Sequence, residues 1–414
     1  MLPVNEAESI ILNLVQPLRE RDAEVVDLSA GAGRILAEPV TSQLDFPHWD
    51  NSAMDGYAVR FADIQNCDQQ QPAVLEIVEE IPAGYQPQRT ILSGQAARIF
   101  TGAVMPPGAD TVVMQENTKR EGNRVLILQV SEPKTFVRRR AAFYQAGTTL
   151  LPPGIRLSAP DVAVLAAAQC SQLSVYRRPR VAILSTGDEL VTVDQPLQPG
   201  QIVDSNQYAL AAFVAQLGGI PQALGIVRDD QEQLQEAIAQ AITTADVVLS
   251  TGGVSVGDYD YVDQILSNLG AEIHIRSVAV KPGKPLTVAT FSTAQSSVLY
   301  FGLPGNPVSA LVSCWRFVQP ALKKLAGLAD GWKPRFIKAR SRHDLRCGGT
   351  RETYLWGQLH LIDGAYEFSL AGGNHSSGNL INLAQTTGLA VVPVGQTLIS
   401  AGESVQVLPV GLTN

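Results

Sequence analysis

Three predicted strands in the second half of the chain each run into a loop rich in carboxylates and glycines. The loops are Ser185-Thr186-Gly187-Asp188-Glu189, Arg228-Asp229-Asp230, and the segment from Thr251 to Asp260 that contains Gly252, Gly253, Ser255 and Gly257. Ligands of open α/β sheets bind beyond the carboxyl ends of the strands, so we expect the loops to meet at one edge. Clustered carboxylates repel one another unless a cation neutralises them, and oxygen-only ligands suit magnesium bound with a phosphate substrate.

A single aspartate in such a loop often serves only as a helix cap or turn former. We favour that interpretation for Asp230, which directly precedes a predicted helix. Because three loops share the feature, the sequence as a whole favours a site for a cation and phosphate.

Positive charge and a second glycine-rich loop follow. In the segment from Lys281 to Pro285, each proline restricts the residue before it, so Lys281 and Lys284 project from a stiff loop. The alternative is a solvated basic turn. In the segment from Gly302 to Ser309, Asn306 stands at a predicted N-cap behind Pro304 and Gly305. A helix N-terminus behind a glycine loop binds anions, although a plain well-capped helix start has the same pattern.

These loops require an α/β domain to position them. Predicted strands at 181–184, 223–227 and 246–250 alternate with helices at 207–217 and 231–243. This alternation predicts βαβ units and a central parallel sheet. The predicted fold is therefore α/β multidomain, with the α/β domain spanning residues 178–327.

The rest of the sequence predicts three further domains. Short β-rich runs indicate an inserted β domain at residues 41–133 and a C-terminal β domain at residues 328–414. Asn5 and Glu8 have the spacing of a capping box that opens a helix, and residues 160–168 predict a second helix. We expect these two helices to pack together in one discontinuous helical domain, residues 1–40 and 134–177.

Composition and absent motifs exclude several classes of protein. The 414 residues carry 31 Lys and Arg against 39 Asp and Glu, and the net charge of −8 disfavours nucleic acid or an anionic membrane as partner. The four cysteines include no CxxC pair, which fits a reduced cytoplasm better than disulfides or zinc. No P-loop, HExxH motif, signal peptide or membrane-spanning run is found.

Taken together, the loops resemble those of the molybdopterin molybdenumtransferases, a family related to the E domain of gephyrin and the plant molybdenum-insertion enzyme. The resemblance covers nearly the whole chain. The segments that carry it are Asn51 to Ala58, Phe100 to Ala103, Gly108 to Val113, Ser185 to Leu190, Asp204 to Asn206, Gly252 to Asp260, Lys281 to Pro285, and Gly302 to Ser309. It implies a magnesium-dependent transferase that accepts adenylylated molybdopterin and molybdate, places molybdenum on the dithiolene and releases AMP.

The resemblance also implies roles for single residues. The implied catalytic residues are Asp55, Thr101, Glu189, Asp229, Asp260 and Lys281. Magnesium would be held by Glu189, Asp229 and Asp260. With the loop pattern, the predicted residues for substrate and phosphate binding are Ser185, Thr186, Gly187, Asp188, Gly252, Gly253, Ser255, Gly257, Lys284, Gly302, Pro304, Gly305, Asn306, Arg351 and Ser377.

The family also implies an assembly. Its counterparts of Asp55 and Thr101 lie in the β domain and reach the α/β domain of the other subunit. The resemblance therefore implies a cytoplasmic homodimer with shared active sites, in which the helical domain contributes to dimerisation. Transient contacts with the proteins that produce molybdopterin and mature molybdoenzymes are implied as well.

Two departures from the family concern anion binding. Arg140 is followed by Ala141-Ala142-Phe143 where the family often has Gly-Glu-Asp, and Trp356 stands where the family has an arginine. We expect Arg351 to compensate for the missing arginine. If Trp356 faces the cleft, its replacement by arginine should strengthen molybdate binding.

Two alternatives from other functional classes remain. A molybdopterin adenylyltransferase shares the α/β domain, but it needs neither the inserted β domain nor the C-terminal domain. A non-catalytic molybdopterin-binding scaffold is consistent with the departures just described. The presence of Asp55, Glu189, Asp229, Asp260 and Lys281 favours catalysis over that scaffold.

Overall fold

The computed structural model describes residues 1–129, 132–253, 259–292 and 297–411. For residues 259–261 it describes the backbone but not the side chains. The chain divides into two compact units. The larger consists of Met1–Glu38, Pro153–Ala159 and Gln172–Asn414, and the smaller of Pro39–Pro152 and Pro160–Ser171. No helix in the described ranges is long and apolar enough to cross a membrane.

Seven α-helices occur in the described part of the chain. They are α1 (Val4–Leu14), α2 (Ala159–Ala167), α3 (Ser205–Gln216), α4 (Gln231–Thr244), α5 (Tyr259–Asn268), α6 (Pro307–Ser313) and α7 (Gln319–Leu325). A π-helical segment, Cys314–Val318, joins α6 to α7, so the chain is helical from 307 to 325.

The first helix differs from the expected capping box. Helix α1 begins one residue earlier than Asn5, its N-cap is Pro3, and no side chain caps it. Glu8 forms an ion pair with the buried Arg316 instead of bonding to the start of the helix. The capping-box prediction was therefore wrong, because a charged partner from a distant segment engages the glutamate.

Short strands make up much of the chain before residue 160. They are β1 (Ala23–Asp27), β2 (Val40–Thr41), β3 (Asn51–Ser52), β4 (Gly56–Val59), β5 (Ala73–Ile81), β6 (Gln95–Ile99), β7 (Thr111–Met114), β8 (Thr118–Glu121), β9 (Arg124–Ile127), β10 (Val137–Arg138) and β11 (Thr149–Leu151).

From residue 172 onward, the strands first alternate with helices and later follow one another directly. They are β12 (Gln172–Tyr176), β13 (Arg180–Thr186), β14 (Leu190–Val191), β15 (Ile202–Val203), β16 (Ile220–Val227), β17 (Val247–Thr251), β18 (Ala271–Ser277), β19 (Val280–Lys281), β20 (Pro285–Ser292), β21 (Ser297–Leu303), β22 (Ile337–Ser341), β23 (Leu345–Arg346), β24 (Glu352–Ile362), β25 (Ala365–Leu370), β26 (Gly388–Val392), β27 (Leu398–Ile399) and β28 (Ser404–Pro409).

A six-stranded sheet forms the core of the smaller unit. Its strand order is β7-β4-β6-β5-β9-β8. Strand β4 is buried along its whole length between β6 and β7. A Cβ atom at Gly56, the first residue of β4, would lie 2.0 Å from the carbonyl oxygen of Val113. A side chain at position 56 would clash with β7, so only glycine allows β4 to begin pairing with β7 directly after Asp55.

A second six-stranded sheet carries the loops that the sequence singled out. Its order is β16-β13-β17-β21-β20-β18. The strands β16, β13, β17 and β21 are parallel, whereas β20 and β18 run antiparallel to their neighbours. The sheet is therefore mixed rather than wholly parallel, because only four residues separate β20 from β21, too few for the crossover helix that a parallel connection needs.

Helices cover both faces of this mixed sheet. Val181 and Ile183 of β13 pack in the same core as α3, α6 and α1 residues. Ala182 and Leu184 belong to a second core with α4 and α5 residues. Successive side chains of a strand point to opposite faces, so one short apolar strand contributes to both layers. This burial fixes the position of the loops that follow the strands.

The two helices expected to pack together belong to different units. Helix α1 lies in the larger unit and contacts α7 there. Most of α2 lies in the smaller unit. The packing of these two helices in one discontinuous domain, like the domain boundaries inferred from the sequence, stays a prediction.

The C-terminal strands form a third six-stranded sheet. Its order is β19-β24-β25-β22-β28-β26, with an additional pairing of β24 and β26. Strand β19 comes from the basic loop of the α/β region and pairs in parallel with β24. This pairing joins Lys281 to the C-terminal sheet.

Candidate functional site

The first two carboxylate-rich loops meet at the carboxyl edge of the mixed sheet. Thr186, the last residue of β13, pairs with Val227, the last residue of β16. The Thr186 hydroxyl donates a hydrogen bond to Asp229 Oδ1 at 2.5 Å, and the amide of Asp229 donates to Asp188 Oδ1 at 3.4 Å. Asp229 is thus oriented by a buried threonine while its side chain remains exposed.

Glu189 lies at the same edge. A Cβ atom built on Gly187 would lie 2.5 Å from Glu189 Oε2, so the carboxylate folds back onto the backbone of its own loop. Gly187 has φ of 154°, and the missing side chain leaves room for that carboxylate. The loop therefore presents Asp188 and Glu189, both exposed, beside Asp229.

The third loop begins against the first. Thr251, at the end of β17, donates to Ser185 Oγ at 3.1 Å. Gly252 has φ of 90°, and a Cβ atom there would lie 2.1 Å from the carbonyl oxygen of Thr186. Only glycine fits this approach, and Gly253 follows beside the Thr186 methyl group. Ser255, Gly257 and the side chain of Asp260 lie outside the described residues.

The glycine loop before α6 completes this edge. Asn206 Nδ2 donates to the carbonyl oxygen of Gly305 at 2.7 Å. A Cβ atom at Gly305 would lie 3.6 Å from the Cα atom of Gly252. The loops that follow β17 and β21 therefore touch, and Asn206 fastens the second of them to the start of α3.

Sequence reasoning quoted Asn206 only as part of a family motif and did not single it out as a site residue. Asp204 caps α3 through the amide of Gln207 at 3.1 Å, which places Asn206 in the first turn. The signal that could have found it is an amide side chain two residues after a capping aspartate, in the first turn of a helix at the edge of the sheet.

Ser185 and Gly302 were predicted to bind the ligand, and both are buried within strands. Ser185 is fully buried within β13 and accepts the Thr251 hydroxyl. Gly302 is buried within β21, where it pairs with Ser250 and Thr287. Both β-strands run further than the apolar patterns indicated, and a substrate contact by either residue stays a prediction.

Asp230 and Asn306 both precede helices, as expected. Asp230 is the N-cap of α4 and accepts the amide of Gln233 at 2.9 Å, which confirms its interpretation as a helix cap. Asn306 is the N-cap of α6 and Pro307 follows at the first helical position, but the Asn306 side chain makes no capping bond. Its Oδ1 atom instead lies 3.9 Å from the Cβ position of Gly378.

The serine loop of the C-terminal region lies beside this helix start. The amide of Val308 donates to the carbonyl oxygen of Ser377 at 3.3 Å. Ser377 is therefore adjacent to Asn306 and to the exposed Gly305. The structure thus brings the predicted residues of the C-terminal region to the α/β loops.

The basic loop packs between α6 and β24. A Cβ atom at Gly283, which has φ of 103°, would lie 2.8 Å from Ser313 Oγ. Arg351 Nη1 donates to the carbonyl oxygen of Val280 at 3.2 Å, directly before Lys281. Lys281 and Lys284 are exposed. Arg351 is thus bonded to the backbone directly before Lys281.

Trp356 does not face a cleft. Its side chain is 1% exposed and lies in the core of the larger unit. Its Nε1 atom donates to Asn382 Oδ1 at 3.0 Å, and its ring centroid lies 4.4 Å from that of His375. The expectation that arginine at this position would strengthen molybdate binding required Trp356 to face the cleft, and this condition is not met.

Replacing Trp356 by arginine is instead expected to destabilise the protein. An unpaired guanidinium in this core would cost about 3 kcal/mol or more in the free energy of unfolding. Urea unfolding followed by circular dichroism measures the loss. Trp356→Phe is the control, since it keeps an aromatic ring and adds no charge to the core, although it loses the bond to Asn382, worth about 1 kcal/mol, and some packing volume. Equal stability of Trp356→Arg and wild type would contradict the inward orientation.

The predicted catalytic pair of the smaller unit lies together. The amide and the hydroxyl of Thr101 both donate to Asp55 Oδ1 at 2.7 Å. These bonds, first the hydroxyl and then the amide, hold the pKa of Asp55 below its usual value, and the positive charge of Arg98 lowers it further. Asp55 is therefore a carboxylate at neutral pH, with Oδ2 directed away from Thr101's two donors.

Two arginines of the basic run Arg138-Arg139-Arg140 in the smaller unit form ion pairs. Arg139 Nη1 lies 2.7 Å from Asp50 Oδ2, and Arg140 Nε lies 2.6 Å from Asp45 Oδ2. The residue after Arg140, Ala141, turns back with its amide bonded to the carbonyl oxygen of Pro47. Two aspartates of the preceding loop thus neutralise charges that the sequence left unassigned.

The carboxylates at the sheet edge are oxygen ligands of the kind that bind a hard cation such as magnesium. No group of three His, Cys, Asp or Glu side chains placed to hold a metal ion occurs among the residues that the structure describes. Glu189 and Asp229 supply two of the three expected carboxylates, and the third, Asp260, has no described side chain. Oxygen donors alone are the ligands that magnesium prefers.

Three family models match this chain along most of its length. They are the MoeA N-terminal region (domain I and II) over residues 2–168, the probable molybdopterin binding domain over residues 182–324, and the MoeA C-terminal region (domain IV) over residues 338–410.

Curated relatives and solved structures agree with these models. The chain is 64% identical over 409 residues to a molybdopterin molybdenumtransferase of Nostoc sp., covering 99% of this chain and 94% of the relative. It is 33% identical to that of Haemophilus influenzae, covering 99% and 98%. A crystal structure of the molybdopterin biosynthesis moeA protein of Pyrococcus horikoshii superposes with a TM-score of 0.83 at 29% identity, covering 99% of both chains.

Proposed function

The chain belongs to the molybdopterin molybdenumtransferase family, an enzyme family of molybdenum cofactor biosynthesis, and we propose that it inserts molybdenum from molybdate into adenylylated molybdopterin with release of AMP. The observation that carries the proposal is the meeting of the carboxylate and glycine loops at one sheet edge, with the Lys281 strand joined to the C-terminal sheet. The edge provides negative charge for a cation and positive charge for oxyanions.

Phosphate groups would be held by backbone amides and lysines. A Cβ atom at Gly305 would contact Gly252, so the two glycines lie close together, and neither carries a side chain that would keep a phosphate from the backbone. Lys281 and Lys284 would offset the negative charge of phosphate or molybdate. A single substrate could therefore contact the glycine loops and the basic loop.

Magnesium is the metal that the donor set favours. Glu189 and Asp229 would hold it together with Asp260. Bound there, magnesium would offset the negative charge of the pyrophosphate linkage. Thr186 would keep Asp229 oriented by its hydrogen bond, and Asn206 would keep Gly305 in place.

The reaction itself needs positioning and charge stabilisation. If water attacks the AMP phosphorus, the phosphoanhydride bond breaks, the molybdopterin phosphate is the leaving group and AMP is the second product. If an oxygen of molybdate attacks instead, the adenylyl molybdate that forms then passes its molybdenum to the dithiolene sulfurs, and AMP leaves from the molybdenum. The chain's own contribution is to orient the two reactants and to balance charge that develops on the phosphate oxygens, chiefly through Lys281. Molybdate would lie near Arg351, Lys281 and Ser377.

The active unit would be a homodimer in the cytoplasm. In this proposal, Asp55 and Thr101 of one subunit complete the site formed by the α/β loops of the other. The ionised, half-buried Asp55 supports a role in charge balance rather than in packing. The expected transient contacts with proteins earlier and later in cofactor synthesis belong to the same proposal.

The two alternative functions explain less of the chain. An adenylyltransferase leaves the MoeA N-terminal and C-terminal regions without a use, although both match family models. A non-catalytic scaffold leaves unexplained why Asp229 is held with an exposed carboxylate. The Trp356 departure no longer supports the scaffold, since that residue is part of the core.

The direct test is to incubate the purified protein with adenylylated molybdopterin, magnesium and molybdate and to follow AMP by chromatography. Molybdate-dependent AMP release supports the proposal. Substrate that binds but stays intact would favour the scaffold, and conversion of molybdopterin plus ATP would favour the adenylyltransferase.

Replacing Arg351 by alanine is expected to raise the molybdate concentration needed for half-maximal AMP release about tenfold or more, since a charge-assisted hydrogen bond is worth roughly 1.5–3 kcal/mol. Affinity for the adenylylated pterin should scarcely change. Arg346→Ala serves as the control, because Arg346 is an exposed arginine of the same C-terminal region that pairs with Asp344. An Arg351→Ala protein with a wild-type molybdate titration would show that this arginine does not hold the oxyanion.

A further inference from the structure

A buried chain of hydrogen bonds begins at Arg316, in the middle of the π-helical segment Cys314–Val318. The Arg316 side chain is 2% exposed, and its Nε atom donates to the Tyr354 hydroxyl at 2.8 Å. The Tyr354 hydroxyl in turn donates to Glu352 Oε1 at 2.5 Å. Because Tyr354 is fully buried, a charged side chain of the helical segment is linked through the core to a charged side chain of β24.

The direction of these hydrogen bonds follows from the protonation of Tyr354. Burial raises the pKa of Tyr354, so the phenol keeps its proton at neutral pH. A phenol has one proton to donate, and an arginine can only donate. The Tyr354 proton therefore goes to Glu352, and the Tyr354 oxygen accepts from Arg316. Arg316 also forms an ion pair with Glu8 of α1, so the chain runs between two carboxylates.

The far end of the chain lies beside the strand that carries Lys281. Glu352 is the first residue of β24 and pairs with Val280 of β19, directly before Lys281. The amide of Glu352 donates to the carbonyl oxygen of Ala279 at 3.1 Å. Arg351, the residue before Glu352, donates to the carbonyl oxygen of Val280. The position of Glu352 therefore fixes the backbone from which Lys281 and Arg351 project.

The two faces of this strand pair separate opposite charges. Successive side chains of a strand point to opposite faces, so Glu352 lies on the same face as Tyr354. That face belongs to the core, which also contains Val280, the pairing partner of Glu352. Lys281 follows Val280, so it lies on the other face, where it is exposed. The bond from Tyr354 thus holds the Glu352 carboxylate on the core side, away from the face of Lys281.

We propose that Arg316 is a positioning residue for Lys281 and Arg351, and that it acts through Tyr354 and Glu352. The inference rests on the proposed function, in which Lys281 and Arg351 bind molybdate. Arg316 itself lies in the core and does not touch the substrate. Its effect is to fix the strand end from which both cations project and to keep a neighbouring carboxylate away from them.

The surroundings of Arg316 argue against a role in packing alone. The other buried residues of the π-helical segment belong to the apolar core: Cys314, Phe317 and Val318. Replacing a buried ion pair by apolar residues of similar volume is often neutral or stabilising, so packing alone does not require a charge here. π-Helical turns next to α-helices are also frequent at functional sites. If packing were its only role, changes along the chain would lower stability and leave anion affinity unchanged.

The test is calorimetric titration of the full chain with molybdate at constant ionic strength in chloride buffer. Tyr354→Phe removes only the hydroxyl that joins Arg316 to Glu352 and keeps the ring in the core. It should weaken molybdate binding about fivefold or more, the size expected for residues coupled through one hydrogen-bond network. Arg316→Met should have the same effect. Arg316→Lys should restore part of the affinity, since lysine keeps the charge and can still donate to Tyr354.

Tyr300→Phe is the matched control for the loss of a buried hydroxyl. Tyr300 is 1% exposed and lies in the core on the other face of the mixed sheet, with residues of α4 and α5. The control should therefore bind molybdate as wild type does. Circular dichroism establishes that each variant is folded, and urea unfolding measures its stability.

A double variant separates positioning from packing. Because Tyr354 is proposed to act through Arg351 and Lys281, Tyr354→Phe should weaken binding less in an Arg351→Ala protein than in wild type. Losses that add in full would overturn the inference. Wild-type affinity in folded Tyr354→Phe protein would overturn it as well, and combined with lower stability this result would assign the buried chain to packing alone.

Failure of this inference can be told apart from failure of the proposed function. The titration uses molybdate without adenylylated molybdopterin, so it does not depend on turnover. Wild-type protein that binds molybdate but releases no AMP would contradict the proposed function, and the positioning of the two cations would still be decided by the variants. Wild-type protein that binds no molybdate would overturn the inference.

Discussion

Asp229→Asn is expected to lower the rate of AMP release about a hundredfold or more, because it removes one of the charges that stabilise the reacting phosphate with its cation. Asparagine has the same shape, and its Oδ1 atom can still accept the Thr186 hydroxyl that lies 2.5 Å from Asp229 Oδ1. The loop should therefore keep its structure. Steady-state AMP release at saturating molybdate, measured over a range of magnesium concentrations, tests this, and excess magnesium should restore part of the rate.

The chain provides a matched control in the next residue. Asp230→Asn makes the same chemical change, but Asp230 caps α4, and asparagine caps helices as well as aspartate does. We expect nearly wild-type rates from it. If Asp229→Asn keeps the wild-type rate, or if wild-type protein works equally well in chelator without added divalent ion, the carboxylates do not hold a metal that the reaction requires.

Two inactive variants, Asp55→Ala and Glu189→Ala, should regain activity when they are mixed. If the sites are shared between subunits, each heterodimer contains one site with both residues intact. After full exchange of subunits in an equal mixture, half of the dimers are heterodimers with one of two sites active, so about a quarter of the wild-type rate should return. Each variant alone should be nearly inactive.

The control for this experiment combines both changes in one chain. A mixture of wild type with the double variant tests whether exchange occurs, since it should lose rate as heterodimers form. Thr101→Val is a further probe, because it removes the hydroxyl that bonds to Asp55 while the amide bond remains. Folded, exchanging variants that recover no activity would show that Asp55 and Glu189 do not act across subunits.

The positions of the strand-end loops could be predicted from sequence because their strands are short apolar runs. Strands β13, β16 and β17 end at Thr186, Val227 and Thr251, and each end leads into a loop that was singled out. Alternate residues of these strands are buried on opposite faces of the sheet, so every residue of the run must be apolar. The glycines after the strands allow neighbouring backbone segments to approach closely. The sequence pattern was sufficient to locate these strands because each strand is defined by the burial of its own consecutive residues.

Features that depend on distant partners could not be predicted in this way. Glu8 has capping-box spacing, yet it pairs with Arg316, and no local pattern shows that partner. The resemblance to the family aligned Trp356 with an arginine, but a resemblance does not reveal which face of β24 a residue occupies. The direct return from β20 to β21 likewise follows from tertiary pairing rather than from the periodicity of either strand.

The sequence also did not distinguish residues within the strands from residues of the loops. Ser185 and Gly302 lie inside strands, whereas Asn206, which fastens the Gly305 loop, was not singled out. A motif indicates which residues are near a site. Whether a residue faces the ligand or supports the loop depends on strand length and register, which only the folded chain determines.

The most direct test of the central claim is the stoichiometry of one reaction. Wild-type protein is incubated with adenylylated molybdopterin and molybdate, and both the AMP released and the molybdenum bound to the pterin are measured, the latter by mass spectrometry of the isolated product. The proposed function predicts equal amounts, with no AMP above background when molybdate is left out. AMP release without molybdenum on the pterin, or no AMP release at all from bound substrate, would contradict it.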